Sequence, residues 1–227
     1  MLGVVTEATK RLVVAGATGL VGRALLDALA RRGDSAVALV RRPVDDLSAE
    51  LLVREDLMNP GPLPPHDTVL LALGTTRKVA GSLEAQEKVD RHMMVAVAKA
   101  AREAGARRVG IISSHGADAE SSLPYLRMKG QMEAEILALG FERCVIARPG
   151  ILDGPREALD QPMRLGEALA LGMMRPFSAL LPKSVRPVRV TDVAAGLLEA
   201  LEARGSGEQI LSSAELQGAA KRQAQPV

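Results

Sequence analysis

The chain has 227 residues, enough for one α/β domain with a substantial core, and its single cysteine, Cys144, excludes an internal disulfide. Basic and acidic residues nearly cancel at a net charge of +2, no basic run exceeds two residues, and the only aromatics are Tyr125, Phe141 and Phe177. This balance excludes an electrostatic or base-stacking surface for nucleic acid. With one cysteine, no long uncharged apolar segment and no basic-then-apolar leader, the expectation is a soluble cytoplasmic protein without a membrane association.

In chain order, Met1–Lys10 reads as a frayed leader and Arg11–Ala15 as a first buried strand. Gly16-Ala17-Thr18-Gly19-Leu20-Val21-Gly22 follows and feeds a helix from Leu20 to about Arg31, with Leu25, Leu26, Leu29 and Ala30 on its apolar stripe. Ser35–Val40 is a second strand that ends at Arg41-Arg42-Pro43, where the proline disfavours continuation. Glu50–Arg54 is a weaker third strand leading to Glu55-Asp56-Leu57, and the proline-rich Asn59–Pro65 is a connector. Thr68–Leu73 is a fourth strand, ending at Gly74-Thr75-Thr76-Arg77.

A long helix is expected from near Leu83 to Ala104, with Val89, Met93, Val97, Ala100 and Ala104 facing inward and Gly105 closing it. Arg108–Ser113 is a fifth strand. Ser121 or Ser122 can cap the next helix, which carries Pro124 in its first turn and runs to Leu139. Arg143–Ala147 is a sixth strand, ending at Arg148-Pro149-Gly150. Pro155–Pro187 reads as loop and short helix, Thr191–Ala203 as an amphipathic helix, Gln209–Leu211 as a last strand and 217–227 as a disordered polar tail. Strands alternating with helices imply right-handed crossovers and a parallel sheet, with ligands beyond the carboxyl ends of the strands.

The glycine loop has the pattern G-x-x-G-x-x-G, a departure from the general dinucleotide fingerprint. Gly16 permits the turn off the strand, Gly19 lets backbone approach a diphosphate, and Gly22 lets the helix sit close to the sheet. The first-turn N–H groups then face the phosphates, making Gly16, Thr18, Gly19, Leu20, Val21 and Gly22 the candidate cofactor contacts. At the end of the second strand, where an NAD site places an acid on the ribose 2′-hydroxyl, the chain has Arg41 and Arg42. A guanidinium there suits a 2′-phosphate, so NADP(H) is favoured and NAD(H) stays open. Asp56, with Leu57 beside it, is a candidate for the adenine end, or else a turn residue. Leu73, Gly74 and Thr75 complete the candidate cofactor edge at the fourth strand.

Tyr125 and Lys129 stand four apart, on one face of a helix. A phenol ionises near pH 10, and an adjacent ammonium lowers that value, so Tyr125 can exchange a proton with a substrate oxygen near neutrality. Ser113 and Ser114 end the fifth strand; successive residues face opposite ways, one of them faces the site, and Ser114 is the choice. The three histidines have no metal-ligand spacing, so no metal is assigned. Met163, Met173, Met174, Phe177, Leu180 and Leu181 line an apolar substrate pocket, or else pack a small lobe or bind a partner.

These residues together resemble the short-chain dehydrogenase/reductase superfamily, and most closely its small atypical members with Gly-Ala-Thr-Gly-x-x-Gly. Within that group the chain is similar to the TIP30-type (HIV Tat-interacting) oxidoreductase-like proteins, through Leu73 to Arg77, Ser113 to Asp118, Tyr125 to Gly130 and Arg148 to Gly150. The resemblance implies a Rossmann-type doubly wound parallel sheet, NADP(H) binding, and a catalytic group on Ser114, Tyr125 and Lys129. It also implies that Arg148, Pro149, Gly150 and Ile151 lie against the nicotinamide end. Asp153-Gly154-Pro155 is similar to the Tyr-Gly-Pro of sugar-nucleotide epimerases, with the tyrosine missing. The expectation is a single domain over 1–227, with a dinucleotide core of about 11–147 and a small substrate lobe of about 148–212. Its function is then an NADP(H)-dependent oxidation or reduction of a small carbonyl or alcohol substrate. The alternatives are a dinucleotide sensor and a nucleotide-sugar epimerase or dehydratase. A protein partner or a homodimer stays open.

Overall fold

A computed structural model describes residues 11–154 and 187–223. Strands β1 (Arg11–Ala15), β2 (Ser35–Val40), β3 (Glu50–Val53), β4 (Thr68–Leu71), β5 (Arg108–Ile112), β6 (Arg143–Arg148) and β9 (Gly207–Ser212) form one sheet. Its order is β3-β2-β1-β4-β5-β6-β9 and every pairing is parallel. β7 (Leu152–Asp153) and β8 (Val188–Arg189) form a separate two-stranded pair. A parallel sheet is covered on both faces, which is why its inner strands read as unbroken apolar runs. Strand alternation sends Val14 into the layer under α1 (Leu20–Arg32) and α6 (Val190–Glu202), and Val13 into the opposite layer. That second layer is closed by α4 (Met94–Glu103) and α5 (Pro124–Leu137), through Met94, Val97, Met132 and Ile136.

Three expectations change on folding. The long helix is preceded by a short α2 (Arg77–Ala80) and is interrupted: α3 (Leu83–Glu87) passes through a π-helical segment, Lys88–Met93, before α4. The wider turn rotates the face, so Gln86, Asp90, Met93 and Met94 are buried while Val89 is only half-buried. Ser121 does not cap α5; it accepts from the Leu123 N–H at 3.2 Å, and Leu123 is the N-cap residue. Thirdly, the chain beyond Gln217 continues α7 (Ser213–Gln223) instead of fraying. Leu216 and Ala219, three apart on that helix, are buried against Gly196 of α6, and Gln217 donates to the Pro187 carbonyl at 2.9 Å. The apolar Met163–Leu181 residues, the leader and the last four residues lie outside the described residues.

Opposite the strand carboxyl ends, Arg108 and Arg143 donate to the Leu201 and Ala200 carbonyls at 3.1 and 3.0 Å, capping the last turn of α6 with cations. His66 is buried there, its Nδ1 donating to the Pro64 carbonyl at 2.7 Å while Nε2 is buried without a partner. Burial holds its pKa below the ordinary value of 6.5. The unfolded chain therefore takes up the proton first, and the stability from neutral His66 is complete above about pH 6.5 and lost as pH falls through the folded value. The wild-type Tm should fall more steeply below about pH 6.5 than that of His66→Asn; parallel pH–Tm curves would show that this residue does not set acid lability.

Candidate functional site

The site is assembled at the carboxyl ends of β1, β2, β4 and β5. After Ala15 the chain turns at Gly16, whose φ of 80° favours glycine. Its immediate neighbour is backbone: a Cβ at Gly16 would lie 2.4 Å from the Ala72 carbonyl, and one at Gly22 would lie 2.1 Å from the Gly16 oxygen. Helix α1 begins after Gly19, which makes no side-chain cap, and no acid stands in its first turn. The N–H groups and the positive dipole end are therefore left for an anion, and the backbone is close enough to receive one. This fits a dinucleotide diphosphate. Val21 is buried in the core, whereas Thr18 is exposed and Leu20 half-buried. Arg23 ties this loop to the next, donating to the Thr18 carbonyl at 3.3 Å and pairing with Asp46 at 2.8 Å.

Arg41 and Arg42 are exposed just past β2, and neither forms an ion pair with a described residue. Asp56 accepts from the Met58 N–H at 2.9 Å and the Asn59 amide at 3.1 Å, contacts that hold its pKa low. Both oxygens thus take part in a local turn, and each keeps a further acceptor site. Leu57 is buried with the α4 layer. At β4, the Thr75 N–H donates to Asp90 Oδ2 at 2.8 Å, Gln86 donates to the Thr75 carbonyl at 3.3 Å, and Thr76 caps α2. Gly74 lies against Asp90 Oδ1, and Leu73 packs on the α4 layer.

At β5 the two serines face different ways. Ser113 is buried and its Oγ has no hydrogen-bond partner; Ser114 is half-buried, its Oγ donating to the His115 carbonyl at 3.4 Å. Helix α5 brings Lys129 to the same strand end, where Nζ donates to the Ile112 carbonyl at 3.3 Å and lies 3.7 Å from Asp90 Oδ1. Burial lowers the pKa of Lys129 and raises that of Asp90; each partner's charge acts against the burial of the other. Tyr125, one turn earlier, is 39% exposed. The helix approaches the 115–119 loop closely at Gly130, where a Cβ would lie 2.2 Å from the Ala119 nitrogen.

The stretch after β6 is pinned by structural contacts. Arg148 holds buried Glu133 of α5 through Nε at 3.1 Å and Nη2 at 2.5 Å, which raises the arginine pKa further. The Pro149 carbonyl accepts from His115, the Gly150 N–H donates to the buried Ser213 hydroxyl at 2.8 Å, and the Ile151 carbonyl accepts from Val188. Four contributors escape a sequence reading: Asp90, Glu133, Arg23 and Ser213. Only Asp90 leaves a signal, as a carboxylate four residues before Met94 on an inward stripe. Cys144 is buried and its thiol is pushed up to about 12, an inert core residue. Among the described residues no cluster of metal-ligating side chains occurs, and no helix is long and apolar enough to cross a membrane.

A family described as NAD(P)H-binding matches residues 16–172. The FMP52 protein of Eremothecium gossypii is 41% identical over 220 residues, spanning 93% of this chain and 97% of its own length. That of Kluyveromyces lactis is 41% identical over 155 residues, 63% of this chain and 68% of its own. Both are mitochondrial proteins, which overturns the cytoplasmic expectation. A lone cysteine describes any reducing compartment and does not single out the cytoplasm. Among solved structures, a UDP-glucose 4-epimerase of Thermotoga maritima superposes with a TM-score of 0.68 at 16% identity, over 89% of this chain and 76% of that one. A short-chain dehydrogenase/reductase superfamily protein of Agrobacterium tumefaciens with bound NAD gives 0.65 at 19%, over 89% and 77%. At such identities the likeness establishes the Rossmann-like fold alone. A glycine loop on a parallel sheet, a family match across it and a relative aligned nearly end to end lead to one assignment: the chain belongs to the NAD(P)H-binding family, as a homologue of the fungal FMP52 proteins.

Proposed function

We propose that the chain is an NADP(H)-dependent oxidoreductase for a small carbonyl or alcohol, related in its chemistry to the TIP30-type proteins. The observation that carries this reading is the anchoring of Lys129 at the end of β5, one residue from Ser113 and one helical turn from Tyr125. The first-turn N–H groups of α1 would hold the cofactor diphosphate, and Arg41 and Arg42 would hold a 2′-phosphate. When bound, the nicotinamide supplies or accepts a hydride. Tyr125 gives its phenolic proton to the substrate oxygen in reduction and takes it back in oxidation. Lys129 favours the phenolate by its positive charge, and the Ser114 hydroxyl donates to the same substrate oxygen.

Two experiments address the two halves. Replacing Arg41 and Arg42 together by alanine should weaken NADPH binding, followed by fluorescence, by about tenfold or more and change NADH binding by less than about twofold. In a panel of carbonyl substrates, Tyr125→Phe should lose about a hundredfold in turnover while binding NADPH as the wild type does. Equal weakening of both coenzymes removes the 2′-phosphate contact, and undiminished turnover removes Tyr125 from the chemistry.

A further inference from the structure

Lys129 is not a free cation beside a tyrosine. Its side chain is 3% exposed, and the Asp90 carboxylate facing it is 4% exposed. Each charge is fixed by one backbone group, Asp90 by the Thr75 N–H and Lys129 by the Ile112 carbonyl. The pair sits where the π-helical segment, α5 and the ends of β4 and β5 meet. At such burial an isolated ammonium or carboxylate gives up its charge, so each depends on the other. Of the remaining ionisable neighbours, Glu133, one turn further along α5, adds its negative charge in favour of the ammonium, but its hydrogen bonds go to Arg148 of β6. On the π-helical segment, Arg91 is turned to Glu87, Glu135 and Gln131, while Lys88 and His92 are exposed. From β5 and the loop after β4, the groups that reach the pair are backbone: the Ile112 carbonyl at Lys129 and the Thr75 N–H at Asp90.

We propose that Asp90 is a positioning residue, the fixed counter-ion that keeps Lys129 charged, so that the Asp90–Lys129 pair, and not the lysine alone, tunes Tyr125. The proposal rests on the reading of Tyr125 as proton donor and acceptor. Two roles of Asp90 have opposite signs. As a counter-ion it preserves the ammonium, and its loss makes the tyrosine harder to ionise. As a mere offsetting charge it opposes the ammonium, and its loss makes the tyrosine easier to ionise. The burial of Lys129 and its direct pairing with Asp90, whose charge outweighs that of the Arg148-bound Glu133, favour the first.

Tyr125 is the only tyrosine and the chain has no tryptophan, so ultraviolet phenolate absorbance titrates that one residue with no substrate present. In the full-length protein, Asp90→Asn should raise the midpoint by about one pH unit or more, as should Lys129→Met, and the double variant should go no higher. If Lys129→Met raises the midpoint while Asp90→Asn leaves or lowers it, the counter-ion role is overturned and the function proposed for Tyr125 stands. If Lys129→Met itself has no effect, both the lysine's role in that function and this proposal fall. Should Asp90→Asn not fold, wild-type protein with isotope-labelled lysine decides by magnetic resonance. The Lys129 Cε signal, identified by its loss in Lys129→Met, belongs at the ammonium position at neutral pH, and a neutral-amine position overturns the proposal.

Discussion

Gly22→Ala should lower Tm by roughly 6–12 °C, whereas Gly19→Ala should leave Tm nearly unchanged and still abolish NADPH binding. The two glycines belong to one loop but answer to different neighbours. A Cβ at Gly22 would lie 2.1 Å from the Gly16 oxygen and 2.8 Å from the Ala17 Cα, both backbone, so α1 and the loop must separate to admit it. Overpacking of that kind costs about 3 kcal/mol, and a chain of this size loses roughly 2–4 °C for each. At Gly19 φ is −83°, an ordinary value, and the tightest contact of a Cβ is 3.3 Å from the Gly16 oxygen. The folded chain accommodates that methyl; a diphosphate on the same backbone would not. Thermal unfolding and NADPH fluorescence titration separate the two effects. Full NADPH affinity in Gly19→Ala would mean that the diphosphate lies elsewhere.

Arg148→Ala should cost about 3–5 kcal/mol, more than any surface arginine. Arg148 is 28% exposed at its side chain, but its partner Glu133 is 4% exposed. Removing the arginine strands a buried carboxylate. Removing the acid instead, as Glu133→Gln, leaves a guanidinium that water reaches, and the expected loss is smaller, about 1–2 kcal/mol. Combining the two should recover part of the Arg148→Ala loss, because an amide carries no charge to strand. The measurement is denaturant unfolding of all three variants. If Arg148→Ala spares stability and weakens cofactor binding instead, the guanidinium serves the nicotinamide end, as the resemblance implies, and the Glu133 contact is incidental.

The amino-acid sequence alone determined the order of the seven sheet strands, their parallel arrangement and the glycine loop. Those follow from local rules: unbroken apolar runs for strands covered on both faces, a 3.6-residue stripe for helices, and glycines where backbone meets backbone. Partnership across the fold was decided only by tertiary structure. The π-helical segment inserts an extra residue's width, and Asp90, not the expected Val89, faces Lys129. Arg148 and Glu133 are separated by a helix end and a strand, and no spacing rule joins them. Likewise the polar end of the chain forms α7 because Leu216 and Ala219 find Gly196 of α6, a contact absent from the segment considered alone. Local propensity and periodicity are written in neighbouring residues, whereas the charge state of a buried pair depends on which distant groups exclude water from it.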